Sequence, residues 1–142
     1  RGEEASCLVD LDTLGRMVWA FELGDALRSW CNPRGEDVAE ASIDRQVFAA
    51  ALEGYGAVAK SAGLLSREEA LAIVDGLATL CLELSARFLA DALEERYFGW
   101  DASRFATRGE HNLLRVRGQL ALFESVEAQR ADLERIAGAA LL

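Results

Sequence analysis

Apolar residues recur at every third or fourth position along most of the chain, which is the spacing of a helix with one buried face. Residues 22–30 carry such a stripe, and Pro33 ends the predicted helix because proline cannot continue the backbone hydrogen-bond ladder. The polar residues 36–42 predict a loop. A second helix is predicted over residues 44–62, closed by Gly63. The inward residues of these two helices are predicted to be Leu23, Ala26, Leu27, Trp30, Phe48, Ala51, Leu52, Tyr55, Val58 and Ala62.

Two capping boxes, Ser-Arg-Glu-Glu at residues 66–69 and Thr-Arg-Gly-Glu at residues 107–110, mark the starts of two further helices. The first is predicted to continue to about residues 97–98, and a loop follows over residues 99–109. The last helix is predicted to extend to Ala140, either unbroken or after a break. The inward residues of these helices are predicted to be Ala70, Val74, Leu77, Cys81, Leu84, Phe88, Leu113, Val116, Leu120, Phe123 and Val126.

The beginning of the chain differs from the rest. Residues 5–9 are apolar and partly β-branched, which predicts a short strand, and an acidic loop with Asp10 and Asp12 follows. The predicted fold class is therefore mainly α, with a short N-terminal strand and loop followed by a four- to five-helix bundle. Residues 1–17 and residues 18–142 are expected to form two parts of one compact domain.

Composition narrows the class of protein. The 142 residues are 51% hydrophobic with a formal net charge of −9, which argues against disorder and makes nucleic acid an unsuitable partner. No apolar run is long enough to span a membrane and no secretory leader is evident, so we expect a cytoplasmic protein. Cys7, Cys31 and Cys81 lack the spacing of a zinc site and are predicted to be buried free thiols.

The acidic loop at Asp10 and Asp12 has two interpretations. Carboxylates just beyond a strand are held in place yet exposed, which suits Mg²⁺ bound jointly with phosphates. The alternative is a solvated turn of acidic residues. The residues themselves leave both interpretations open.

Arg87 and His111 are the remaining candidates for chemistry. On a helical wheel Arg87 projects roughly 20° from Leu80, near the apolar stripe. Either Arg87 forms a structural salt bridge with Asp91 one turn further on, or its planar fork binds an oxygen-rich ligand. His111, the only histidine, falls in the first turn of a predicted helix with no nucleophile nearby, so it is expected to cap the helix or lie at the surface.

Five stretches of the sequence resemble one family of enzymes in the same order. They are Leu8-Val-Asp10-Leu-Asp12-Thr13, Glu22-Leu-Gly-Asp25-Ala-Leu-Arg28, Arg87-Phe-Leu-Ala-Asp91-Ala-Leu93, Tyr97-Phe98 and His111-Asn-Leu-Leu-Arg115-Val-Arg117. Together they resemble the C-terminal part of aminoglycoside phosphotransferase and choline kinase-like small-molecule kinases, especially the N-acetylhexosamine kinase branch. The resemblance covers nearly the whole chain and implies the C-terminal helical subdomain of a protein-kinase-like fold.

The resemblance implies a role for individual residues. Asp10 matches the aspartate that holds magnesium against the nucleotide phosphates, and Asp12 matches an acidic position near it with a less defined role. Arg87 and Tyr97 match positions beside the acceptor in the sugar-kinase branch. On this view residues 1–17 are a strand and metal-binding loop, and residues 18–142 are a substrate-binding subdomain.

The chain also departs from the family. Glu22 stands where many relatives have Asp. The H-x-D catalytic loop and the nucleotide-binding lobe are absent and are expected to precede Arg1, so the resemblance places no catalytic residue within this chain. The expected activity is phosphoryl transfer from ATP to a hydroxyl, of a sugar or amino sugar, with Mg²⁺ and ATP as cofactors in a longer protein. The chain alone is expected to be inactive and to hold no cofactor tightly.

Two alternatives come from other functional classes. A non-catalytic helical interaction module would expose apolar surface around Leu8, Val9, Trp19 and Trp30 and self-associate through it. A ligand-sensing bundle would bind a small molecule in a cleft lined by Arg87 and Tyr97. No nucleic-acid or membrane partner is expected for either alternative.

Overall fold

Helices make up most of the chain that the computed structural model describes, which is Cys7 and residues 14–142. The described helices are α1 (Trp19–Trp30), α2 (Arg45–Ala62), α3 (Arg67–Leu71), α4 (Ile73–Glu94) and α5 (Arg108–Leu141). No strand occurs within the described residues, and the mainly α fold class is confirmed. The strand predicted at residues 5–9 falls outside the described residues, apart from the exposed Cys7.

Helix α4 is the centre of the bundle, because it packs against both α1 and α5 while α2 packs on α5. Its predicted inward stripe is confirmed, and Leu77 and Cys81 are fully buried. Leu122 and Val126 of α5 join them in one apolar cluster. Burial of this stripe supplies the main driving force for folding.

Glycine allows α1 and α4 to cross closely. A Cβ atom at Gly24 would lie 2.7 Å from the backbone carbonyl carbon of Gly76, and a Cβ atom at Gly76 would collide with the backbone of Ala20. Both glycines therefore serve a close approach of two helix backbones.

Capping side chains begin α2 and α3, and a glycine ends α2. Asp44 accepts hydrogen bonds from the amides of Gln46 and Val47 at the start of α2, and Gly63 ends that helix in the left-handed conformation with φ of 61°. Ser66 and Glu69 form the predicted reciprocal capping box at the start of α3. These caps satisfy backbone groups that have no partner within a helix.

The long helix predicted from residue 66 to residues 97–98 begins at the predicted cap, but it is interrupted at Ala72 and ends earlier than predicted. Ala72, with ψ of −5°, interrupts it after the short helix α3, which packs on α1 and α5. Helix α4 then ends at Glu94, because Glu95 adopts the left-handed conformation with φ of 51°. Local sequence pattern predicts a helical stretch better than it predicts such interruptions.

Helix α5 is unbroken to Leu141, but its buried face differs from the predicted one. Leu113 and Leu120 are exposed, whereas Asn112 and Gln119 are fully buried. The prediction failed because it assigned the inward face from apolar residues alone.

The second predicted capping box, at the start of α5, is half formed. Thr107 accepts from the amide of Glu110, but the Glu110 carboxylate accepts from the amide of Ala106.

Some single residues also differ from their predicted burial. Trp30, Val58 and Ala62 are exposed rather than inward. The buried face of α2 runs through Gly56 and Ala59, which places Val58 off that face. Cys7 is exposed, whereas the predicted burial of Cys31 and Cys81 is confirmed. Burial in the core raises the pKa of both buried thiols to about 12.

No helix among the described residues has the length and apolar character needed to cross a membrane.

Candidate functional site

Arg87, Tyr97 and Phe98 form a surface cluster at the end of α4, which we call the ring platform. The guanidinium carbon of Arg87 lies 5.8 Å from the centre of the Tyr97 ring and 5.5 Å from that of Phe98. The Tyr97 and Phe98 rings meet edge to face with their centres 4.9 Å apart. The two residues that the resemblance assigns to the acceptor therefore lie together in the structure.

Asp91 does not pair with Arg87, so that predicted salt bridge is wrong. The ion-pair partner of Arg87 is Glu83, at 3.8 Å from Nε to Oε1, and both side chains are 48% exposed. An exposed pair at this distance contributes little to stability and leaves most of the guanidinium donors accessible.

The carboxylate of Asp91 instead binds the loop that follows α4. Its Oδ1 accepts from the amides of Arg96 and Tyr97 at 2.9 and 2.7 Å. Its Oδ2 accepts from the amide of Phe98 at 2.9 Å and from Nδ2 of Asn112 at 2.8 Å. Desolvation acts to raise the pKa of Asp91, but these four hydrogen bonds outweigh it and lower the pKa to about 2.

Phe98 connects the ring platform to a neighbouring cleft of about 500 Å³. Its ring packs on Phe88 with centres 4.5 Å apart, and the Arg115 guanidinium lies 5.5 Å from the centre of the Phe88 ring. Pockets of roughly 300–1,000 Å³ are typical of small-molecule sites. The residues that line the cleft are Arg28, Glu36, Asp37, Leu84, Phe88, Phe98, Gly99, Trp100, Asp101, His111 and Arg115.

His111 is buried in the wall of this cleft, so the expected capping or surface role is wrong. Its Nδ1 accepts from the amide of Asp101 at 3.1 Å, which places the ring proton on Nε2. Nε2 donates to Oδ1 of Asp37 at 2.8 Å. The imidazole also stacks on Phe105 with ring centres 4.1 Å apart. His111 thus fixes the loop after α4 to the segment that precedes α2.

Asp37 and Arg115 complete the hydrogen-bond network of the cleft. Nε of Arg115 donates to Oδ1 of Asp37 at 2.7 Å, and its Nη1 donates to the carbonyl of Gly99 at 2.7 Å. Desolvation raises the pKa of Asp37, but hydrogen bonds from Arg115 and His111 outweigh it and hold the pKa below its ordinary value. Asp37 therefore remains an ionised acceptor at neutral pH.

Arg28 is a buried cation that also lines the cleft. It donates to Oδ1 of Asp25 at 3.0 Å and to Oε1 of Glu36 at 2.8 Å. The hydrogen bond from Arg28 to Glu36 therefore holds the 31–44 connection against α1, whereas the bond to Asp25 lies within α1. Since Glu36 remains 45% exposed, the cleft presents acceptors as well as donors.

The predicted metal residues Asp10 and Asp12 lie outside the described residues. Within the described part of the chain, no group of three or more His, Cys, Asp or Glu side chains is arranged to hold a metal ion. No model of a known protein family matches the sequence.

Sequence reasoning missed Asp37, and it did not give His111 or Arg115 a role in a cleft. The spacing of His111, Asn112 and Arg115 is visible in the sequence, because positions three and four apart share a helix face. The partner that His111 and Arg115 share is not visible, since Asp37 stands 74 residues before His111.

Apolar side chains remain exposed at the start of α1. Met17, Val18 and Phe21 are 63%, 58% and 41% exposed, and Trp30 at the other end of the helix is 61% exposed. Trp19 is half-buried and contacts Tyr55, and the predicted neighbours Leu8 and Val9 lie outside the described residues.

Proposed function

We propose that this chain is the acceptor-binding helical part of an ATP-dependent kinase that acts on a hydroxyl of a sugar or amino sugar. The observation that carries the proposal is the ring platform. Arg87 has accessible donors and lies against Tyr97, which is 71% exposed. The ordered sequence motifs that resemble small-molecule kinases support the same assignment.

A sugar matches the chemistry of the ring platform. Its hydroxyl oxygens accept hydrogen bonds from a planar guanidinium, which offers several donors at fixed angles. Its C–H faces pack on an aromatic ring such as Tyr97. Neither contact requires a charged ligand, so the platform suits a neutral or singly charged acceptor.

In the proposed reaction, the acceptor hydroxyl oxygen forms a bond to the γ-phosphorus of ATP. The bond from that phosphorus to the β,γ-bridging oxygen breaks, ADP leaves, and the hydroxyl proton passes to a base outside this chain. Such transfer depends on positioning and charge neutralisation. Asp10 would hold Mg²⁺ against the phosphates, with Asp12 beside it.

Acceptor binding is tested by titrating the chain with N-acetylglucosamine, N-acetylgalactosamine and glucose and measuring binding by calorimetry. For the sugar that binds most tightly, Arg87→Gln is expected to weaken the affinity by about tenfold or more, because charge-assisted hydrogen bonds are lost. The matched control is Arg96→Gln, since the Arg96 side chain is 75% exposed and pairs only with Glu94 among the described residues. Equal loss in both variants, or no binding by the unaltered chain, contradicts the proposal.

Catalysis is tested separately. The chain alone is expected to show no ATP-dependent phosphorylation of these sugars, and turnover by the chain alone would contradict the assignment to one part of a larger active site. In a protein that also carries the catalytic loop and nucleotide lobe, Asp10→Asn is expected to abolish turnover without unfolding. Near-normal turnover would refute the metal role of Asp10.

The cleft favours a second candidate function, in which the chain senses a small molecule without phosphorylating it. Its wall offers the ionised Asp37, the half-exposed Glu36 and the indole of Trp100. Sugar binding in the absence of ATP that is lost in Asp37→Asn but retained in Arg87→Gln would favour sensing over the kinase assignment.

The exposed apolar residues of α1 favour a third candidate, a self-associating interaction module. Light scattering on the chain, with Phe21→Ser as the matched variant, distinguishes this candidate. A monomer at all concentrations would count against it.

A further inference from the structure

We propose that Asp91 is a positioning residue of the ring platform, which fixes the Tyr97 and Phe98 rings beside Arg87 by binding three consecutive backbone amides. That this arrangement serves acceptor binding rests on the proposed function. The arrangement itself rests on contacts within the described residues.

The hydrogen bonds of Asp91 are unusually concentrated on the platform. The amides of Arg96, Tyr97 and Phe98 all donate to its two oxygens, at 2.9, 2.7 and 2.9 Å. Two of these amides belong to the platform residues themselves. Asp91 is 4% exposed, so water does not substitute readily for these bonds.

Only a carboxylate matches this set of donors. Four N–H groups converge on Asp91, including Nδ2 of Asn112 at 2.8 Å. A carboxylate has two oxygens that only accept, whereas an asparagine would place an amino group against the Phe98 amide and Asn112. The identity of this side chain, and not only its size, is therefore required.

The position of Asp91 in the sequence links its bonds to Arg87. The two residues are four apart on α4, so they lie one turn apart on the same face. The chain leaves the helix at Glu95 with φ of 51° and returns over that face. Binding the returning amides to Asp91 thus places the Tyr97 and Phe98 rings beside the guanidinium one turn away.

Glu83 is the competing candidate for this role, because it is the ion-pair partner of Arg87. Its carboxylate lies 3.8 Å from Nε of Arg87 and is 48% exposed. Among the described residues, the amides of Arg96, Tyr97 and Phe98 donate to Asp91 and not to Glu83. Glu83→Gln therefore removes the ion pair while leaving the anchoring of the rings intact.

The test compares Asp91→Asn with Glu83→Gln by nuclear magnetic resonance on the isotope-labelled chain. In Asp91→Asn, amide exchange at Arg96, Tyr97 and Phe98 is expected to accelerate roughly tenfold or more, because charge-assisted hydrogen bonds are lost. The ring-current shifts of the Arg87 side chain are expected to disappear. Both readouts are expected to stay unchanged in Glu83→Gln. A folded Asp91→Asn with unaltered exchange and ring-current shifts would overturn the proposal.

Asn112→Ala keeps the proposal testable if Asp91→Asn does not fold. It removes one of the four bonds to Asp91 and leaves the three backbone amides in place. The expected result is faster exchange at Phe98, which shares Oδ2 with Asn112, and a smaller change at Arg96 and Tyr97, which bind Oδ1. Exchange unaffected at all three amides would count against the anchoring role.

Titration with N-acetylglucosamine then tests whether the positioning of the rings by Asp91 serves acceptor binding. If the unaltered chain binds the sugar, Asp91→Asn is expected to weaken binding by about tenfold, while Glu83→Gln stays within about twofold. Equal affinities would overturn the positioning role in binding. If the unaltered chain binds no sugar, the proposed function fails, while exchange and ring-current shifts still decide whether Asp91 positions the rings.

Discussion

Helix α4 is stabilised differently in its middle and at its end. In the middle, Leu77 and Cys81 are buried among apolar side chains of the neighbouring helices. At the end, Asp91 is buried among four N–H donors, and Asn112 of α5 supplies one of them. We call these two regions the apolar middle and the polar end of α4.

The two regions differ in whether their stabilising contacts depend on angle and on chemical type. Apolar contacts have no preferred angle, so the middle depends on volume and tolerates a side chain of similar size. Hydrogen bonds require a particular donor and acceptor at a particular distance, so the polar end depends on chemical identity. The polar end is also where the ring platform and the cleft meet, which places the candidate site in a region that depends on the chemical identity of its side chains.

The largest effect is expected in the apolar middle. Leu77→Ala leaves a cavity in the core and is expected to lower the free energy of unfolding by about 2–5 kcal/mol, measured by urea titration. Leu93→Ala is the matched control in the same helix, because Leu93 is 83% exposed. Its effect is expected to stay within about 0.5 kcal/mol. Similar losses in both variants would contradict the assignment of the core.

The polar end is expected to depend on pH. The pKa of Asp91 is lowered to about 2 from an ordinary 3.8, so its ionised form stabilises the fold fully above the ordinary value. That stabilisation is lost as the pH falls from about 4 towards 2. The difference in Tm between the unaltered chain and Asp91→Asn should therefore shrink over this interval in thermal unfolding. A difference that stays constant from pH 5 to 2 would refute this account.

An exposed hydrogen bond should contribute less to the free energy of unfolding than the buried hydrogen bonds at the polar end. Ser66→Ala removes the acceptor for the Glu69 amide at the start of α3 and is expected to cost about 1 kcal/mol in urea titration. The matched control is Ser61→Ala, whose hydroxyl donates to the Val58 carbonyl within α2. The loss of stability in Ser61→Ala should be close to zero. A larger loss in Ser61→Ala than in Ser66→Ala would be inconsistent with the capping role of Ser66.

The smallest effect is expected for the exposed ion pairs. Arg130 contacts Asp75 of α4 as well as Glu127 and Glu134 of its own helix. Arg130→Ala is expected to lower the free energy of unfolding by less than about 1 kcal/mol, because exposed pairs are well solvated. Repeating the measurement in high salt should remove most of that loss, since salt screens exposed charges. A loss that is independent of salt would contradict an electrostatic origin.

The candidate site was predictable in part. The sequence resemblance singles out Arg87 and Tyr97, and the structure brings them together. The alternative salt bridge from Arg87 to Asp91 is wrong, because helical spacing cannot show that three loop amides compete for the carboxylate. The role of His111 was also mispredicted, since its partners Asp37 and Asp101 belong to loops without a periodic pattern.

The sequence by itself determined the helices, their caps and the apolar stripe of α4, because these depend on neighbours within about four residues. Only the tertiary structure decided the break at Ala72, the polar buried face of α5 and the cleft. Each of these depends on groups far apart in the chain, whose meeting is set by how the helices pack. The contact of Asp37 with His111, across 74 residues, is the clearest case.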